Sequence, residues 1–300
     1  MGEKTINEKL GFLSSDKVVI FHIDDVGFSH SSNVASFECL DFGVASCGSV
    51  IVPAPWFLET AAICRNNPQY DIGVHLALTC EYDQYRWRAL SSVDPTTGLL
   101  DEERCLWRTS EEAVANVSPE AAEMEMRTQI QVALDNGIDV THIDTHMGAV
   151  VNPKFIQSYI ALAYEFKLPL FLPRLSKEDL ISLGMEHHVN AYMELFAQLE
   201  EGDLPIIDHM VIDTGGDQPD KTKHYCNLFS EIKPGLTHFL FHSAKMGTEL
   251  KAITPDSANW RNQDYKAFTS EKLKDCVKKY DLKIIGYRKL RNLLRNPPTQ

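Results

Sequence analysis

The chain has no stretch of apolar residues approaching the length of about 18 that a membrane-spanning helix needs, and residues 1–10 carry no apolar signal core. A cytoplasmic protein without a membrane partner is therefore the expectation. Basic residues are scarce: 29 Lys and Arg stand against 42 Asp and Glu, leaving a formal charge of −13. Nucleic acid and anionic surfaces repel such a chain at long range, so no nucleic-acid partner is expected and a neutral or cationic small molecule fits better. No two of the seven cysteines form a C-x-x-C pair, and an odd number cannot all pair within one chain. That usage reads as reduced thiols, neither a disulfide frame nor a zinc finger. Internal repeats, low-complexity tracts and a convincing linker are also missing, which leaves 300 residues for one domain.

What is there alternates. Strand candidates at 17–24, 46–52, 71–79, 139–146, 168–173, 206–213, 237–242 and 282–287 are separated by helical patterns, the longest opening at Ser118-Pro119 and closing at Asn136-Gly137. Eight strands and seven helical stretches imply an α/β protein built on a parallel sheet. At this length the expected form is a single (β/α) barrel, TIM-like, with room for a distorted or incomplete ring. Residues 80–117 break the rhythm and carry Tyr82, Tyr85, Trp87 and Trp107, so an ordered insertion is expected there.

The first strand ends on Asp24-Asp25-Val26-Gly27. Neighbouring side chains on a strand point to opposite faces, so both acids can serve one site only if the backbone turns between or just after them. Adjacent carboxylates repel each other and are costly to bury without a cation, which makes a metal the natural third party. An ordinary polar turn is the plain alternative.

Two further strands repeat the theme. In Gly73-Val-His-Leu-Ala-Leu78, period two puts Gly73, His75 and Ala77 on one face. In Thr141-His-Ile-Asp-Thr-His146, it puts His142, Asp144 and His146 together, a costly set to bury unless paired or metal-bound. Thr237-His-Phe-Leu-Phe-His242 adds His238 and His242 on one face. A lone histidine in such a strand ordinarily serves structure. Here Asp24, Asp25, His75, His146 and His242 all end their strands, and in a parallel barrel those ends converge where active sites are found.

Asp24-Asp25-x-Gly27, Gly73-x-His75-Leu-x-Leu-Thr79 and Thr141-His-Ile-Asp-Thr-His146 resemble, in order and spacing, the main motifs of the YdjC-like (ChbG-type) carbohydrate deacetylases. The resemblance covers nearly the whole chain. It implies a (β/α) barrel that removes an acetyl group from an N-acetylated sugar or short oligosaccharide, with a divalent ion, Mg2+ or Zn2+. It further implies Asp25, His75 and His146 as metal ligands, Asp24 as catalytic base and a homodimer at family level. His242 takes the place of a late-strand histidine and is the candidate general acid, although Ser243 follows it where the family usually has Pro. After His146 the chain reads Met147-Gly-Ala-Val150 where many members continue with histidines, and Val26 replaces a common Phe, so a divergent branch is expected. A non-catalytic sugar- or metal-binding barrel and a metal-dependent phosphoesterase are the rival readings. Arg174 and the pair Trp260-Arg261 read as structural.

Overall fold

A computed structural model describes residues 4–182, 186–200, 202, 204–212 and 214–296. Its centre is a seven-stranded sheet in the order β4-β3-β2-β1-β6-β5, with β7 beside the start of β1. The strands are β1 (Lys17–Val26), β2 (Cys47–Val50), β3 (Ile72–Leu76), β4 (Ile143–Thr145), β5 (His209–Val211), β6 (Gly235–Phe241) and β7 (Leu282–Ile284). Every pairing between them is parallel. Helices connect the strands, which is what parallel pairing requires.

The predicted strand at 168–173 does not form a ladder. It touches its neighbours through single bridges, Ile143 to Leu170 and Pro173 to Ile207. Pro169 and Pro173 have no N–H to donate, so a regular run of hydrogen bonds cannot form there. The Phe171 N–H still donates to the Ile143 carbonyl at 2.9 Å and the Arg174 N–H to the Ile207 carbonyl at 2.9 Å, joining the two ends of the curled sheet. The result is a distorted (β/α) barrel. The strand expected at 206–213 is shortened to β5, and Asp213 lies outside the described residues.

β1 shows how the barrel is filled. Val19, Phe21 and Ile23 belong to the large apolar cluster shared with the surrounding helices. Val18 and Ile20 belong to a smaller cluster with Ile207, Leu236, Tyr287 and Leu290, against which Ile6, Leu10 and Phe12 pack. The latter face continues along the strand to His22 and Asp24. Period two thus carries one row of side chains from an apolar floor, through an imidazole, to a carboxylate.

Helix boundaries follow local chemistry. Ser29 caps the helix His30–Phe42 by accepting from the Ser32 N–H, and Gly43 ends it at φ 87°. Between β6 and β7 lie the helices Ala258–Phe268 and Glu271–Lys279, with Ser270 capping the second. The insertion is ordered and packed: Trp87 and Tyr82 are buried, and the Trp87 indole N–H donates to the Thr79 carbonyl at 3.1 Å.

The cysteines correct one expectation. Cys226 and Cys276 are bonded, joining the helix Lys221–Glu231 to Glu271–Lys279 across a sequence separation of 50, while the other five are free and buried. Linear spacing could not reveal that these two helices pack side by side. No described helix is long and apolar enough to cross a membrane.

Candidate active site

The end of β1 is bent. Asp25 has φ 61°, Gly27 follows at φ 84°, and the register with β2 shifts between Ile23 and Val26. This bulge supplies the turn that two adjacent acids require. A left-handed backbone is strained for a residue with a side chain. The Asp25 carbonyl is held there by the Ser32 hydroxyl at 3.1 Å and the Phe28 N–H at 3.2 Å. Gly27 admits no side chain, because a Cβ would lie 2.7 Å from Val50 Cγ2.

Asp25, His75 and His146 come together, with their candidate ligand atoms within 4.8 Å of one another. Asp25 Oδ1 lies 3.4 Å from His75 Nε2 and 3.3 Å from His146 Nδ1. Donors about 2.0–2.2 Å from a shared tetrahedral ion stand about 3.3–3.6 Å apart, so these separations fit a divalent ion. The far side of each ring is tied to a carboxylate. His75 Nδ1 meets Asp144 Oδ1 at 2.9 Å, and His146 Nε2 meets Glu81 Oε2 at 2.9 Å. Both acids accept a hydrogen from the outer nitrogen, so an inner nitrogen that gives up its proton can offer a lone pair to an ion. That oxygen is buried and has no hydrogen-bond partner.

Register explains the first tie, since His75 and Asp144 are partners in the β3–β4 pairing. Ser49 of β2 adds its hydroxyl to Asp144 Oδ2 at 2.7 Å. Glu81 comes from the insertion and half-opens to solvent, its side chain 26% exposed.

The charges are held unusually. Burial works against ionising Asp25, but the Arg261 guanidinium, His146 and His75 outweigh it and keep the carboxyl well below the ordinary range. Burial likewise opposes a charge on His146, yet Glu81 and Asp25 push the ring up to about 9. His75 is raised well above its usual value by Asp144, Asp25 and Asp24 against the same penalty. Arg261 Nη2 lies 2.8 Å from Asp25 Oδ2, and the guanidinium sits 5.3 Å over the Phe28 ring.

Asp24 faces the same space from the other side of the bend. Its Oδ1 meets His22 Nδ1 at 2.7 Å, and its Oδ2 lies 4.0 Å from His242 Nε2. His242 follows β6 directly; its backbone N–H donates to Asp264 Oδ2 at 3.2 Å and its ring stands edge-on to Trp260 at 5.3 Å. Burial and Arg261 pull His242 down to about 4, so its ring is neutral near pH 7.

Sequence reasoning therefore names residues that the fold does bring together, and it misses His22, Ser49, Glu81 and Arg261. His22 could have been found by extending period two back along β1 from Asp24, whereas Ser49 is placed by the pairing of β2 with β3, where it faces Gly73. Glu81 and Arg261 sit on a loop and a helix whose placement no local pattern reports. His142 lies deeper, below the acids, and its room comes from Gly73: a Cβ there would stand 2.5 Å from the ring. Because His142 is pinned on both sides, Gly73→Ala is expected to cost about 1–3 kcal/mol by overpacking. Thermal unfolding of the variant checks this, and an unchanged midpoint would contradict it.

A structure of a candidate cellobiose-phosphate cleavage protein from Enterococcus faecalis V583 superposes with a TM-score of 0.77 at 24% identity, over 92% of this chain and 99% of that one. This likeness shows the fold. A carbohydrate deacetylase of Thermus thermophilus is 30% identical over 277 residues, covering 91% of this chain and 94% of the relative. A carbohydrate deacetylase of Thermoanaerobacter pseudethanolicus is 22% identical over 271 residues, covering 90% and 98%. The family profile described as YdjC-like protein matches residues 18–279, from the start of β1 to the end of the helix Glu271–Lys279. On that match and the Thermus relative together, the chain belongs to the YdjC-like protein family.

Proposed function

We propose that this protein is a divalent-metal-dependent deacetylase that hydrolyses the acetamide of an N-acetylated sugar or short oligosaccharide and releases acetate. The names of the two relatives support the substrate class. The observation that carries the metal is the buried, unpartnered Asp25 Oδ1 between two imidazoles whose outer nitrogens are each tied to a carboxylate. Asp25, His75 and His146 would hold the ion, which supplies an acidified water and a polarised acetyl carbonyl when bound. Two imidazoles and one carboxylate suit Zn2+ better than Mg2+, which prefers oxygen ligands.

The chain's own residues then move protons. Asp24 Oδ2 accepts the proton of the attacking water as it adds to the acetyl carbon. His242, neutral at rest and with its Nε2 4.0 Å from Asp24 Oδ2, faces the same space and, once protonated, would give its proton to the departing amine nitrogen. Arg261 balances the charge of Asp25 and keeps that carboxylate turned toward His75 and His146. The cytoplasmic setting and the homodimer rest on composition and on family likeness respectively.

The reading is tested by incubating purified protein with a panel of N-acetyl sugars and with aryl phosphates. Acetate release supports it; phosphate release supports a phosphoesterase; sugar binding without either product supports a non-catalytic barrel.

The site's charge makes a further prediction. Glu81 and Asp25 hold His146 protonated up to about pH 9 in the metal-free chain, and an imidazolium cannot bind an ion. Zinc loading at pH 7.5 is therefore expected to release about one proton or more per ion, and affinity should tighten as pH rises toward about 9. Titration calorimetry in buffers of different ionisation enthalpy measures the release. Heat independent of the buffer would contradict the prediction.

A further inference from the structure

Asp24 can act as a base only if one carboxylate oxygen is free and aimed at the reacting water. What fixes that aim lies beneath it in the barrel. Two residues earlier on the same face of β1 stands His22, fully buried, with Nδ1 2.7 Å from Asp24 Oδ1. An ionised carboxylate has no hydrogen to give, so the hydrogen in this bond belongs to His22 Nδ1.

The other side of His22 is also held. Its Nε2 meets His142 Nε2 at 2.8 Å and lies 3.5 Å from Asp144 Oδ2. His142 is anchored in turn: its Nδ1 is 3.0 Å from the Thr141 hydroxyl, and its ring stacks on Tyr287 at 3.9 Å and 15°. On the remaining side, His22 lies 4.8 Å from the ring of His238, whose Nδ1 is 2.9 Å from the Tyr287 hydroxyl. Buried polar groups in such number are costly unless each has a partner, and here the partners form a chain that ends on Asp24.

We propose that His22, braced by His142, is a positioning residue for Asp24: its Nδ1–H holds Oδ1, leaving Oδ2 alone to accept the proton. This rests on the deacetylase reading of the site. Oδ2 is the oxygen on the side of His242, 4.0 Å from its Nε2. Without the brace, the carboxylate is free to turn about its Cβ–Cγ bond and the accepting oxygen leaves its place. Asp25 is unaffected, because Arg261 holds it independently at 2.8 Å.

Two substitutions separate this role from ordinary packing. An Asn amide nitrogen stands near the Nδ1 position, whereas a Gln amide nitrogen reaches toward the Nε2 position. His22→Asn thus keeps the donor to Asp24 and gives up His142; His22→Gln does the reverse. His22→Gln should lower kcat roughly 10- to 100-fold, the scale of a misaimed reacting group, with KM within about twofold and metal content unchanged. His22→Asn should stay within about fivefold of the parent. Equal losses in both variants, loss of metal, or loss confined to KM would mark His22 as structural and overturn the proposal; so would full activity of His22→Gln.

A second readout needs no substrate. Nitrogen NMR of the metal-free parent should show His22 protonated at Nδ1, with a signal that moves in Asp24→Asn. A bare Nδ1 overturns the proposal even if acetate is released. A protonated Nδ1 in a chain that releases no acetate supports the brace and sinks the deacetylase reading instead.

Discussion

Asp24→Asn is expected to retain its metal and its sugar while kcat falls by roughly 10²- to 10⁴-fold, the contribution that general-base catalysis typically makes. The amide keeps the shape of the carboxylate and can still bond to His22 through its oxygen, but it cannot accept the proton of the attacking water. Asp24 is also outside the group formed by Asp25, His75 and His146, so the proposed site keeps all three of its ligands. Metal stoichiometry, sugar affinity and acetate release measured in one buffer decide the matter. If the variant turns over at the parent rate, the base lies elsewhere.

Asp25→Ala should fail differently. It removes the only carboxylate of the proposed ligand set, so metal affinity should drop by more than the roughly 10- to 100-fold that loss of an outer-shell partner costs, and activity should drop with it. The same substitution strands Arg261, which is buried and bonded to Asp25 Oδ2 at 2.8 Å. Breaking one half of a buried ion pair costs roughly 3–5 kcal/mol, so the melting temperature of the metal-free variant should fall as well. Asp24→Asn strands no such cation and should melt near the parent temperature. The reverse pattern, with Asp24→Asn losing metal and Asp25→Ala keeping it, would exchange the two roles.

The parts of the site carried by strands were legible because a strand has a period of two and a parallel barrel sends its strand ends to one place. Asp24, Asp25, His75, His146 and His242 come from four strand ends, and alternation alone puts His142 and Asp144 on the face of His146. The bend between the two acids was legible too, since two adjacent carboxylates could not otherwise share a site; the positive φ at Asp25 is how the chain makes it. Gly73 was read only as sharing a face with His75, whereas its missing side chain makes space for His142 on the neighbouring strand.

What was not legible depends on contacts between segments distant in sequence. Glu81 reaches His146 across 65 residues from an irregular insertion. Arg261 was read as structural, since nothing local marks it; the helix Ala258–Phe268 carries it to Asp25, far away in the sequence. The segment at 168–173 looked like a strand by hydrophobicity, but its two prolines leave it bridging the ring at single points. The Cys226–Cys276 bond likewise records two helices packing side by side, which spacing in the chain does not encode.

The central claim is that a single ion held by Asp25, His75 and His146 makes this barrel a sugar deacetylase. The most direct measurement is acetate release from a panel of N-acetyl sugars by protein stripped with a chelator, dialysed and then titrated with Zn2+. Release should be lost on stripping and return in proportion to metal, saturating at about one ion per chain. Equal acetate release by the stripped and the reloaded protein, or saturation that survives replacement of both His75 and His146, would contradict it.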